Sequence, residues 1–144
     1  EVLEGKERTP FKNELEELIR KSPPENILPE RIKNVGFVYS YDEEAFVNLL
    51  KMLDELSLSS KEKPMFVKRG FVINYDDNLS VDAIVVNAKN EGVDAIVFIG
   101  QIPPDRKYEF ENTFSQEGIY FINFNKTNLT RGRVIDFLLE LIIR

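Results

Sequence analysis

The feature that most constrains this chain is an alternation. Four short runs dense in Val, Ile, Phe and Tyr are separated by segments whose apolar residues recur at helical spacing. The runs are "NVGFVYS" from Asn34, "MFVKRGFVINY" from Met65, "VDAIVFIG" from Val93 and "IYFINF" from Ile119. They are continuously apolar rather than alternately polar, the pattern of strands covered on both faces, as in a parallel sheet. In "SYDEEAFVNLLKMLDEL", Phe46, Leu49, Leu50, Leu53 and Leu56 fall on one helical face, and Ser40 with Glu43 fits a capping box. Val81, Ile84, Val85 and Ala88 follow the capping stretch "DDNLS", and Gly92 supplies a helix stop. A further helix runs from Pro103-Pro104 to near Gly118. In the last helix Thr130 is the N-cap, and Val134, Ile135, Leu138, Leu139 and Ile142 form the expected inner face. Gly70, inside the second run, marks a bulge or a close approach.

Strict strand–helix alternation predicts an α/β domain. It is a three-layer, Rossmann-like or flavodoxin-like open parallel sheet of about four strands, with helices on both faces. An N-terminal helix precedes it. Thr9-Pro10 opens that helix, Phe11, Leu15, Leu18 and Ile19 make its narrow apolar stripe, and Pro23-Pro24 ends it. The arm "SPPENILPERIK" follows, with Ile27 and Leu28 as the residues expected to pin it. This divides the chain into 1–33, a helix with a Pro-rich arm, and 34–144, a single α/β domain. A narrow stripe on the first helix is also a surface through which two copies could form a homodimer.

With 144 residues, 42% hydrophobic and 31% charged, the composition is that of an ordinary globular domain. A net charge of −6 argues against a nucleic-acid partner. The cluster Lys61, Lys63, Lys68 and Arg69 reads as a solvated loop and strand edge. No apolar run approaches a membrane span. The first residue is Glu1 with no signal-like stretch behind it, so a processed chain or a piece of a longer one is expected. The chain has no Cys and no His. That removes disulfides, thiolate chemistry, the commonest general base and most transition-metal sites. The sequence leans away from catalysis, and no cofactor is expected.

Ligands of open α/β sheets sit beyond the carboxyl ends of the strands. Those ends carry Ser40, Tyr41 and Asp42 after the first strand, then Tyr75, Asp76, Asp77 and Asn78 after the second. Gly100 and Gln101 follow the third, and Asn123, Phe124 and Asn125 close the fourth. The binding candidates are Ser40, Tyr41, Asp42, Tyr75, Asp76, Gly100, Gln101 and Asn125: hydroxyls, amides, carboxylates and rings suited to a small polar ligand. Helix capping accounts equally for Ser40, Asp77 and Asn78, a tight turn for Gly100, and edge packing for Tyr41 and Tyr75. Asp76-Asp77 could hold a hard metal ion only as a weak pair, and no metal is assigned. The dinucleotide fingerprint and the P-loop are both missing, and Gly100-Gln101 stands where a phosphoacceptor receiver needs an acid.

The segments "NVGFVYSYDEEAFVNLLKMLDEL", "VVNAKNEGVDAIVFIGQIPPD" and "EGIYFINFNKT" resemble the N-terminal lobe of type I periplasmic-binding-protein-like domains, over roughly residues 34 to 128. The resemblance implies a non-catalytic sensory domain that binds a small polar ligand or a protein partner, in a bacterial and extracytoplasmic setting. It implies contacts from Ser40, Tyr41, Asp42, Gly100, Gln101 and Asn125. That family binds between two lobes, whereas this chain has length for one, so a fragment or a one-lobe relative is expected. The opening "VGFVYSYDEEAFVNLLKMLDEL" is also similar to TIR domains. That alternative implies a scaffold or a nucleotide-cleaving enzyme, with Glu109 or Glu111 as its acid.

Overall fold

The computed structural model describes residues 15–20, 22–23, 25–40, 43–57, 65–75 and 79–143. The elements are a helical turn α1 (15–19), a 3-10 turn Pro29–Arg31, β1 (Ile32–Tyr39), α2 (Glu43–Ser57), β2 (Phe66–Asn74), α3 (Val81–Glu91), β3 (Ala95–Ile99), α4 (Pro104–Gln116), β4 (Tyr120–Phe124) and α5 (Arg131–Ile143). The strands form one sheet in the order β2-β1-β3-β4, every pair parallel. This is the α/β architecture that the alternation predicts.

The order decides which face each helix covers. The step from β1 to β2 goes one way across the sheet and the step from β2 to β3 goes back over β1. With right-handed crossovers a reversal of direction moves the connecting helix to the other face. One core accordingly joins α2 and α5 to Val35, Phe37, Val67, Ala95, Val97 and Ile99. The opposite core joins α3 and α4 to Val38, Ile96 and Phe98. Successive β3 residues serve opposite faces, and all five are buried. That is why the run has no polar positions.

Gly70 is the extra residue of a bulge. The register runs Val35 against Arg69 and then Gly36 against Phe71. The insertion reverses the alternation of β2. Val67 before it and Val72 after it both face the α2 side, while Phe71 and Ile73 turn to the α3 side. Phe71 then lies across Gly36, where any Cβ would overlap its ring.

The stripe expected for α3 is buried, and that of α2 is buried at Phe46, Leu49, Leu50 and Leu53 and half-buried at Leu56. Ser80 caps α3 through Ala83 N at 3.2 Å, and Gly92 ends it in the left-handed region with φ 62°. Thr130 Oγ1 accepts from Arg133 N at the start of α5.

Three expectations need correction. The inner face of α5 is Val134, Phe137, Leu138 and Leu141, whereas Ile135, Leu139 and Ile142 are exposed. Phe137 settles the rotation of the helix, because its ring stacks on Tyr120 and stands edge-on to Phe124. Of the two residues expected to pin the arm, Ile27 is buried and Leu28 is 59% exposed. Arg69 is buried rather than solvated, in an ion pair with Asp54 of α2 at 2.7 Å. Lys68 is exposed, as a solvated strand edge requires. Lys61 and Lys63 lie outside the described residues, as do Thr9, Pro10 and Phe11. Leu15 is buried in the α2–α5 core, with Leu18 and Ile19 packed against it. No helix among the described residues is long and apolar enough to cross a membrane.

Candidate functional site at the carboxyl ends of the strands

Parallel strands bring their carboxyl ends to one edge. The chain leaves β1 toward β2 and leaves β3 toward β4, so β1 and β3 flank the point where the strand order switches direction. Connections diverge there, and in sheets of this kind a crevice opens between them. Residues one step beyond the strands continue the ladder across this edge. Tyr75 N donates to Tyr39 O at 2.7 Å, Ser40 N to Ile99 O at 2.9 Å and Gly100 N to Phe124 O at 2.8 Å.

Ser40 ends β1 and is 8% exposed. The capping box expected of Ser40 and Glu43 spans residues 41 and 42, which lie outside the described residues with Asp76, Asp77 and Asn78. Nothing in the structure therefore bears on Tyr41, Asp42 or Asp76. Gly100 has φ 129°, and a Cβ on it would come within 2.8 Å of Ser40 O. A side chain at 100 would press on the Ser40 backbone, so only glycine fits this close approach. Its carbonyl accepts from Asn123 Nδ2 at 2.8 Å, and the same amide donates to Phe98 O at 3.0 Å. Both backbone polar groups of Gly100 are thus engaged within the protein. Gln101, next in the chain, is exposed.

Tyr75 is 6% exposed. Its ring stands edge-on to Phe98 and Phe110, at 5.1 and 6.2 Å between centroids. Arg106 of α4 lies over both Tyr75 and Phe110, at 5.9 and 5.4 Å, and its Nη2 donates to Leu79 O at 3.1 Å. Tyr75 thereby floors the rim on the α3–α4 side. Sequence reading passed over Arg106. The available signal was a cation in the first turn after Pro103-Pro104, next to a strand end carrying a tyrosine.

Asn125 turns into its own loop. Its Oδ1 accepts from Thr127 N at 2.9 Å and Asn128 N at 3.1 Å, while Asn125 N donates to Asn128 Oδ1 at 2.6 Å. Such Asx bonds shape a turn. Asn123, two residues earlier, is the amide that bridges β3 and β4 at the rim. The structure therefore brings Ser40, Gly100, Gln101 and Asn123 together at the switch point, puts Tyr75 beneath the neighbouring stretch of rim, and commits Asn125 Oδ1 to the β4–α5 loop.

Tyr39, the last residue of β1, is perturbed by its surroundings. Burial, and secondarily the Glu43 carboxylate, raise its phenol above the usual tyrosine value. Its ring stacks on Phe46 at 5.0 Å. A phenol that ionises later when folded gives stability that is present below the ordinary tyrosine value and lost as pH climbs through the raised one. Melting temperatures are expected to fall more steeply above about pH 10 for the parent chain than for Tyr39→Phe, since tyrosine ordinarily ionises near there. Coincident curves would show that Tyr39 does not contribute.

Among the described residues no three His, Cys, Asp or Glu side chains gather as a metal site. Glu109 and Glu111 are exposed on α4, and Glu109 pairs with Arg106 Nε at 3.3 Å. No family model, curated protein or solved structure matches the chain.

Proposed function

We propose that the chain is a non-catalytic binding domain, taking a small polar ligand at the carboxyl ends of its strands. One observation carries this reading. Where the strand order switches between β1 and β3, Gly100 at φ 129° packs its backbone against Ser40, a close approach that no side chain at 100 would permit. Around it stand an exposed amide on Gln101 and the bridging amide of Asn123. The Gln101 amide can orient a polar ligand by paired donation and acceptance, whereas Asn123, whose Nδ2 serves backbone carbonyls, has only its Oδ1 to offer. The setting supplies recognition without an activated nucleophile, because the chain has no His and no Cys. A sensory role, in which occupancy is passed to another protein, belongs to the same reading.

Thermal-shift screening against sugars, nucleosides and other neutral polar compounds tests it. A ligand a hundredfold above its dissociation constant adds about 2.7 kcal/mol to the folded state, a shift of several degrees. Gln101→Ala, a surface change, is expected to abolish the shift without lowering the unliganded melting temperature. Hits that survive Gln101→Ala, or a screen with no hits at millimolar concentration, would count against the switch point as the site.

A further inference from the structure

A second concave surface lies beside the rim, on the α2–α5 face. It is a groove of about 310 Å³ between α2 and the β4–α5 loop, lined by Glu44, Ala45, Asn48, Met52, Lys126 and Leu129. The α2 residues fall at i, i+1, i+4 and i+8, one helical face about 12 Å long at 1.5 Å per residue. Ala45 is buried, and Met52 and Leu129 are half-buried against the core, so the floor is apolar and backed by packed side chains. Glu44, Asn48 and Lys126 are exposed and carry opposed charges and an amide along the groove's edges.

The far wall is held in place. Asn125 and Asn128 spend their side chains on the loop that carries Lys126 and Leu129, and Leu129 N donates to Asn125 O at 3.0 Å. Beyond that wall Arg131 reaches Glu55 of α2 at 2.9 Å, so α5 begins tied to α2. A pre-set wall lowers the ordering cost of binding.

From the opposed charges and the apolar floor we propose that this groove binds a small zwitterion with an apolar tail. The ligand's ammonium faces Glu44. Its carboxylate faces Lys126, with the Asn48 amide beside it, and the tail lies along Ala45, Met52 and Leu129. The opposed charges discriminate against ligands of a single sign, and the tail adds affinity by leaving water. The groove shares no residue with the switch point, and the proposal stands or falls apart from that reading.

The test is an amide chemical-shift titration of the isotope-labelled full chain with L-norleucine, alongside hexanoate and hexylamine. Saturable shifts clustered on Glu44, Asn48, Lys126 and Leu129 are expected, with a dissociation constant of about 1 mM, ordinary for so small a ligand. Each of Glu44→Gln and Lys126→Gln is expected to weaken norleucine about tenfold, since each removes one charge-assisted bond. Hexanoate is expected to respond only to Lys126→Gln and hexylamine only to Glu44→Gln. Gln101→Ala leaves all three titrations unchanged. The proposal is overturned by norleucine shifts that stay linear up to about 20 mM, far above the expected dissociation constant. It is equally overturned by norleucine binding that neither variant weakens, or by shifts centred on Ser40 and Gln101.

Discussion

Asp54→Ala is expected to lower the stability of the fold by about 3–5 kcal/mol, the cost of leaving a buried charge without its partner. The Arg69 side chain is fully buried, and its Nη2 meets Asp54 Oδ1 at 2.7 Å. Its Nη1 donates to Val67 O at 3.1 Å, its guanidinium lies 5.9 Å from the Phe66 ring, and its Nε has no partner. A guanidinium keeps its charge in a protein, so losing the carboxylate leaves a buried charge without its ion-pair partner. Chemical denaturation of the parent and the variant measures the difference; a loss below about 1 kcal/mol would mean that solvent reaches Arg69. The double variant Asp54→Leu with Arg69→Met is expected to recover most of the loss, because apolar residues of similar volume replace such a pair at little cost.

The second large effect is expected at the switch point. Gly100→Ala should cost about 3 kcal/mol, combining positive-φ strain of roughly 1–3 kcal/mol with a collision. The atom met is the Ser40 carbonyl oxygen at 2.8 Å, which belongs to the backbone and cannot rotate away. Relief requires β1 and β3 to part where Ser40 N bonds Ile99 O. Gly118→Ala is the control. Its φ is 72° with nothing within 4 Å of an added Cβ, so it should cost only about 1 kcal/mol of left-handed strain. Equal losses at the two positions would mean that conformational strain alone explains both, and that β1 and β3 do not crowd at Gly100.

What the sequence made legible was mostly what local chemistry decides. The four doubly buried runs, the α2 and α3 stripes, a capping stretch before α3, the Thr130 cap and the Gly92 stop all follow from period and from the types of single residues. The Gly70 bulge was legible for the same reason. The face of α5 was not. "RVIDFLLELII" is apolar enough to offer more than one stripe, and the choice fell to Phe137 packing against Tyr120 and Phe124 of β4, a contact set by how the helix lies on the sheet rather than by its own period. Arg69 read as solvated because its partner, Asp54, sits on a separate element. Its burial depends on the β1–β2 pairing and on α2 lying above it.

At the candidate site the strand ends could be read along the chain, but their order across the sheet could not. Order makes Ser40 and Gly100 neighbours and sets Tyr75 apart on the α3–α4 side. The exchange of roles between Asn123 and Asn125 has a similar origin. Both are amides at the end of one strand. Whether an amide reaches across to Gly100 O or folds back on Thr127 N depends on the turn that Asn128 helps to close.

The measurement closest to the central claim is a set of interstrand proton contacts in solution between β1 and β3. A parallel pair in this register is expected to give amide-to-Hα contacts linking Val35–Tyr39 to Ala95–Ile99, with a slowly exchanging Ser40 amide bonded to Ile99 O. Hα-to-Hα contacts between the two strands, the mark of antiparallel pairing, would contradict the account, as would contacts placing β1 beside β4 instead.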